Sequence, residues 1–426
     1  MENAKYFFKK FEKLLFLLLL VMTAGAVYLR QQGMEGKNSS KEEPSVESTK
    51  KDSRNEEAFE KASEKGYDLP VDEGEREEAE ADCKSVMGLI SDIYEHAEKG
   101  NASNVVISKD ALHQMVEVLK KTECPVTAIE TYSNMENYEK VEAFLTTCKT
   151  GKSDSIIIYK IRSDGGIGRE KYIFDGTDMY VLTASASWNQ ENKPAITYIS
   201  YNRIKAWQYT EKGWFCYELC VPEFPEVTEV VDGSSMLRVK PMNPEYREIS
   251  EKYLLPLGYQ GNNLLCSNWN KENMDALDYN GMFEYLYQIK YQEKFPSENY
   301  PNGIPKEEFE NLIMEYLPAT SEQIRKNAAF DEENQTYIWE TLGCANYTPT
   351  YFGTSVPEVT DIKENEDGTV TLTVDAVCEM TLYNQAVITH ELTIRFFEDG
   401  SFQYLGNKIL GDGLQKIPEY QYRRKQ

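Results

Sequence analysis

The sequence predicts an α+β protein of two domains, each with helices first and an antiparallel sheet after them, behind a single N-terminal transmembrane segment. Three observations carry this expectation. Apolar residues recur three and four apart in some stretches and two apart in others, the signatures of helix and strand. That helix-then-strand order occurs twice along the 426 residues, a length beyond what one ordinary domain needs. Finally, residues 14–29 form the one uncharged run of near-membrane length.

The chain opens with Lys5, Lys9, Lys10 and Lys13 ahead of "LLFLLLLVMTAGAVYL". A basic flank before an apolar run stays on the cytoplasmic side, so the reading is a signal anchor over 1–30 with everything beyond it outside the cell membrane. Ala24, Gly25 and Ala26 also offer a small-x-small cleavage site, which leaves secretion after cleavage near Ala26 as the alternative. Residues 31–70 are Glu, Lys, Ser and Asn with almost no apolar content, too little to offset the entropy of ordering, and are read as a disordered charged tether.

The first domain is expected over 71–230. Ala79, Cys83, Val86, Met87, Ile90, Tyr94 and Ala97 trace one helical face ending at Gly100; Ser108 can cap a second helix carrying Leu112, Met115 and Leu119; Val141, Phe144, Leu145 and Cys148 mark a third before Gly151. The period then changes to two in "SIIIYKIR", "EKYIFDG", "DMYVLTA", "AITYISY", "IKAWQYT" and "WFCYELC", with reversals at Asp164-Gly165, Asp175-Gly176 and around Gly213. The result is an antiparallel meander. A connector, "VPEFPEVTEVVDGSS", follows; it can still pair part of a strand across the boundary.

The second domain is expected over 231–426. Helices are read in "PEYREISEKYLL", "YNGMFEYLYQIKYQEKF", "IPKEEFENLIMEYL" with Pro305 in its first turn, and "TSEQIRKNA"; strands follow in "TYIWETL", "EVTDIKE", "TVTLTVDAVCEM", "AVITHELTIRFF" and "SFQYLGNKIL". In pattern alone this order resembles cystatin-like and nuclear-transport-factor-like cone folds.

The formal charge of −25 would repel a phosphate backbone, which argues against nucleic-acid partners. Only His96, His113 and His390 are present, in no ligand spacing, so no metal and no cofactor is implied. The glycines of "SDGGIGRE" lie between strands rather than before a helix, so they are turn glycines and not a phosphate loop. Asp331, Glu332 and Glu333 lack the glycine and closing Glu of a calcium loop. Carboxylate pairs are unavoidable among 71 acidic residues and leave a carboxylate-dependent hydrolase of envelope glycan or peptide as an alternative.

The candidate ligand-binding residues are the aromatic Trp207, Trp214 and Trp269, with Asn262 and Asn263 of the loop "GYQGNNLLCSNWN". Eight cysteines in an exported chain permit disulfides, with Cys124, Cys148, Cys216 and Cys220 as candidates; Cys216 and Cys220 share a strand face too far apart to bond each other. The expected function is a non-catalytic binding or envelope-associated module whose partners are the membrane, through the N-terminal segment, and a protein, peptide or glycan ligand. A structural or sensory module relaying to a membrane partner is a further alternative.

"YSNMENYEKVEAFL", "SDGGIGREKYIFDGTDMYVL", "YTEKGWFCYELCVPE", "GYQGNNLLCSNW", "NGIPKEEFENLIMEYLP" and "DIKENEDGTVTLTVDAVC" together resemble a family of uncharacterised, membrane-anchored extracytoplasmic proteins of Gram-positive anaerobes, a domain of unknown function. That resemblance implies the location and no activity, cofactor or catalytic residue. More weakly, residues 132–178 look like a small helix-plus-sheet domain of Gram-positive cell-surface lipoproteins, although the lipid-modified cysteine of those proteins is missing here.

Overall fold

The computed structural model describes residues 64–100, 104–343, 350–378 and 386–423. The apolar run, its cleavage site, most of the tether and Cys344 lie outside them. Among the described residues no helix is long and apolar enough to cross a membrane.

Phe59–Gln426 forms one compact unit, mixed α/β, in which two lobes keep separate cores. The first lobe begins with α1 (Glu73–His96) and α2 (Lys109–Lys120), capped by the side chains of Asp72 and Ser108, and continues through β1 (Val126–Ala128) and α3 (Glu139–Lys149). Strands β2 (Asp154–Ile161), β3 (Ile167–Phe174), β4 (Met179–Trp188), β5 (Pro194–Tyr209), β6 (Trp214–Leu219) and β7 (Ser234–Arg238) complete a seven-stranded sheet in the order β1 to β7.

The alternation of a strand puts neighbours on opposite faces, and here both faces are covered. Tyr159, Ile161, Leu182 and Ala184 pack under α1 and α2, whereas Ile158, Tyr172, Met179 and Val181 pack with Phe144, Leu145 and Cys148 of α3. A fully buried Arg169 pins α1 to the sheet through Asp82 at 2.7 Å and Glu78 at 2.9 Å.

Four features of this lobe refine or depart from the sequence reading. The meander is antiparallel throughout, but the sheet carries a strand outside it that the sequence reading did not include, β1, which pairs parallel with β2. The two segments "AITYISY" and "IKAWQYT" are one long strand, β5, since no glycine or proline separates them and a register shift between Ile204 and Ala206 absorbs the bend. The part-strand in the connector is β7, so the first sheet runs past residue 230 to Arg238. The end of the expected tether is ordered, with Gly66 O accepting from Arg203 N at 2.7 Å and Leu69 N donating to Tyr201 O at 2.9 Å.

The second lobe contains α4 (Pro244–Ile249), which runs into a π-turn at Ser250–Leu254, then β8 (Trp269–Asn270), α5 (Tyr279–Tyr291), β9 (Ile304–Pro305), α6 (Lys306–Tyr316) and α7 (Ser321–Asn327). Pro305 sits at the N-cap of α6, and Thr320 closes a capping box with Gln323 on α7. Short strands β10 (Phe330–Asp331) and β11 (Thr336–Tyr337) join β9 in a three-stranded sheet, where the sequence indicated one longer strand over "TYIWETL".

After α8 (Thr350–Gly353), β12 (Val356–Glu364), β13 (Val370–Val377), β14 (Thr389–Phe396) and β15 (Phe402–Ile409) form an antiparallel sheet with β8 in the order β12-β13-β14-β15-β8; α9 (Gly413–Lys416) follows. One core, built around a Phe283–Phe309 stack at 4.9 Å, joins these helices to the sheet.

Candidate functional site

Three sheet edges converge on one cleft of about 560 Å³ between the lobes, a volume within the roughly 300–1,000 Å³ of ordinary ligand pockets. The first lobe contributes β1 with the turn after it, and β7; the second contributes the start of β12 and the end of β13. Because β1 and β7 are the two edges of one seven-stranded sheet, that sheet curls until its edges face each other across the cleft.

A seam beside the cleft holds the lobes together. Strand pairing sets Glu358 directly opposite Asp375, and both side chains are buried. Two like charges opposite each other would disrupt the sheet unless neutralised. The first lobe supplies both cations: Arg238 from the end of β7 binds Glu358, and Lys212 from the β5–β6 turn binds Asp375. Gly213 makes that turn feasible, with φ at +84° and space so tight that a Cβ would stand 2.3 Å from that of Lys240. Asp375 is further held by Thr389 Oγ1 at 2.7 Å. Tyr132, in the left-handed region at φ +60°, donates its hydroxyl to the Pro357 carbonyl.

Burial works against both charges of the Arg238–Glu358 pair. It raises the Glu358 carboxyl above its usual range, opposed by the Arg238 charge and then by the nearby Trp214 indole N–H. It lowers the Arg238 guanidinium, opposed mainly by Glu358. Arg238 lies 4.1 Å from the ring centre of Trp214, its cross-strand partner, so the cation is sandwiched between a carboxylate and an aromatic face. Elsewhere in the lining, Lys160 is paired with Glu170 at 2.8 Å and Glu130 with His113 at 3.2 Å.

Of the ligand candidates read from sequence, only Trp214 lines this cleft. Trp207 packs on the first lobe's core, edge-on to Phe215 at 6.2 Å. Most of the asparagine-rich loop is buried, although Asn268 and Asn270 are exposed and, with Trp269, line a second cleft of about 410 Å³. Trp269 Nε1 donates to Leu264 O at 2.8 Å, Asn262 Nδ2 to Leu257 O at 2.8 Å and Asn263 Nδ2 to Ala276 O at 2.7 Å, while Asn263 Oδ1 accepts from Asp278 N at 2.9 Å.

Cys124, Cys148, Cys216 and Cys220 are free thiols in this structure rather than disulfide partners. Cys148 and Cys216 fill core space as small apolar groups, and burial pushes both thiols up to about 11. Among the described residues no group of three or more His, Cys, Asp or Glu has metal-binding geometry. Sequence reading missed Tyr132, Lys212, Arg238, Glu358 and Asp375, whose partners are more than 100 residues away and therefore leave no local pattern.

No curated protein and no solved structure matches this chain. Residues 76–423 match the Family of unknown function (DUF6070), so the match covers nearly all of the described fold, cleft and seam included, and the chain belongs to that family.

Proposed function

We propose that this protein is a non-catalytic binding module, held at the outer face of a cell membrane by its basic-flanked apolar N-terminus, with the interlobe cleft as its ligand site. The observation that carries the cleft reading is its charge state. Arg238 and Lys160, and the carboxylates Glu358 and Glu130, all face in-house partners, so the site is organised to hold a shape rather than to exchange protons. Trp214, half-buried with Arg238 stacked on its ring, supplies aromatic contact area to the lining, the kind on which binding sites commonly centre.

The test presents the full chain, in detergent micelles, to a displayed decapeptide library and to an oligosaccharide array. Selected ligands are expected to bind roughly tenfold more weakly to a Trp214→Ala variant, about 1.4 kcal/mol. Ligands insensitive to that change would place the site elsewhere. Cell fractionation with protease treatment of intact cells tests the location; a cytoplasmic, protease-protected chain contradicts it.

Glu130 and Glu358 lining one cleft favour a second reading, a carboxylate-dependent hydrolase. Turnover of an envelope glycan or peptide, abolished by Glu358→Gln in a folded protein, would establish that reading over the first.

A further inference from the structure

We propose that the cleft takes an extended segment of a basic partner polypeptide, added as a strand alongside β7. This deepens the reading of the cleft as a ligand site and rests on it. The argument begins with the hydrogen bonds of the three edges that line the cleft. On β1, Ala128 N donates to Ser133 Oγ at 3.2 Å, and Val126 exchanges hydrogen bonds with Glu136 at 3.2 and 2.9 Å. On β12, Pro357 has no N–H to offer, its carbonyl accepts from Tyr132, and Val359 N donates to Ser250 Oγ at 2.9 Å. Both of these edges are capped by the protein's own side chains and turns, which is how folded proteins protect exposed edges.

The edge of β7 is different. Leu219 N donates to Gly233 O at 2.8 Å and Val239 N to Gly213 O at 2.9 Å, so with the observed register Gly233, Ser235, Leu237 and Val239 point their main-chain groups at β6. Ser234, Met236 and Arg238 therefore point theirs away. Ser234 N is taken by Asp232 at 2.9 Å, but the N–H and C=O of Met236 and of Arg238 meet no partner among the described residues, on a stretch that lines the cleft. Such a row, repeating about every 6.8 Å, is matched by another extended main chain.

The occupant follows from shape and charge. A second copy of the chain presents the same edge from inside its own cleft, walled by β12 and the 127–133 segment, so two copies cannot bring these edges together. A protruding tail or loop can enter. Five residues of β7 span about 17 Å, enough to register three to five residues of the guest. Guest side chains would alternate between the Trp214–Met236 side and the inner side, where Leu237 is already buried in the core. The net charge of −25 attracts a basic partner and repels an acidic one.

The experiment uses the full chain in detergent micelles with the decapeptide that the displayed library enriches most, and with a set of its single N-methyl derivatives. Strand addition predicts a period of two: methylation at every second guest residue weakens binding at least tenfold, and methylation between them changes it less than twofold. Hydrogen exchange read by mass spectrometry should slow over residues 234–238 when the peptide is bound, and a folded Met236→Pro variant should lose affinity. Loss without the alternation, or protection confined to other segments, overturns strand addition while leaving a peptide site in place. Binding of an array oligosaccharide and of no peptide, lost in Trp214→Ala, overturns this inference and leaves the binding-module reading standing. A dimer in sedimentation that Met236→Pro abolishes assigns the edge to a second copy and also overturns it. If neither library yields a ligand sensitive to Trp214→Ala, both readings fall.

Discussion

At the scale of single residues, His390 shows how burial converts a titratable side chain into a structural one. Its Nε2 meets the Tyr259 hydroxyl at 2.8 Å and its Nδ1 the side-chain Oδ1 of Asn407 at 2.6 Å, with the ring fully enclosed. Desolvation lowers its pKa from 6.5 to about 4. Between those values the unfolded chain binds a proton that the folded chain refuses, so stability falls as pH is lowered through that window and is unaffected above it. The loss is roughly 3 kcal/mol over the window, at about 1.4 kcal/mol per unit. Urea melts from pH 7 to 4 should show this extra slope in the native protein and lack it in His390→Gln; equal slopes in the two would refute the assignment. In the sequence this histidine was one of three without a partner, since its partners are 131 and 17 residues away.

At the scale of elements, strand edges decide the architecture of the cleft. Ser250 illustrates the cost of protecting one. Its hydroxyl accepts from Val359 N and donates to Tyr246 O at 2.7 Å, joining the π-turn after α4 to the β12 edge. A Ser250→Ala change leaves a buried N–H without an acceptor and should destabilise by about 1–3 kcal/mol, with faster exchange of the Val359 amide. Unchanged stability would mean that the edge is capped by other groups. The helices and most long strands were legible because amphipathic period and capping residues are local signals. The parallel β1, the π-turn and the β9–β11 sheet were not, because strands of two or three residues hold by pairing and burial rather than by pattern.

At the scale of the whole molecule, the lobes are joined by ion pairs and a tyrosine hydroxyl rather than by a shared apolar core. Removing one member of a buried pair strands the other, so Arg238→Met or Glu358→Leu alone should each cost about 3–5 kcal/mol, whereas the double variant should recover much of that loss. Denaturant melts followed by tryptophan fluorescence and by circular dichroism measure this. Additive costs would show that the two side chains do not act as a unit.

The sequence by itself determined the class of structure, the helix-then-sheet order of each half, the turns and the acidic character, because each of these is written in neighbouring residues and summed charge. It drew Trp214 into the candidate list for its ring alone. Only the tertiary structure decided that Asn262 and Asn263 lie buried, that Arg238 and Glu358 meet, and that, among the described residues, no partner meets the main chain of Met236 and Arg238 on the β7 edge inside a cleft. The physical reason is distance along the chain: the partner of a buried charge and the opposite walls of the cleft come from segments more than 100 residues apart.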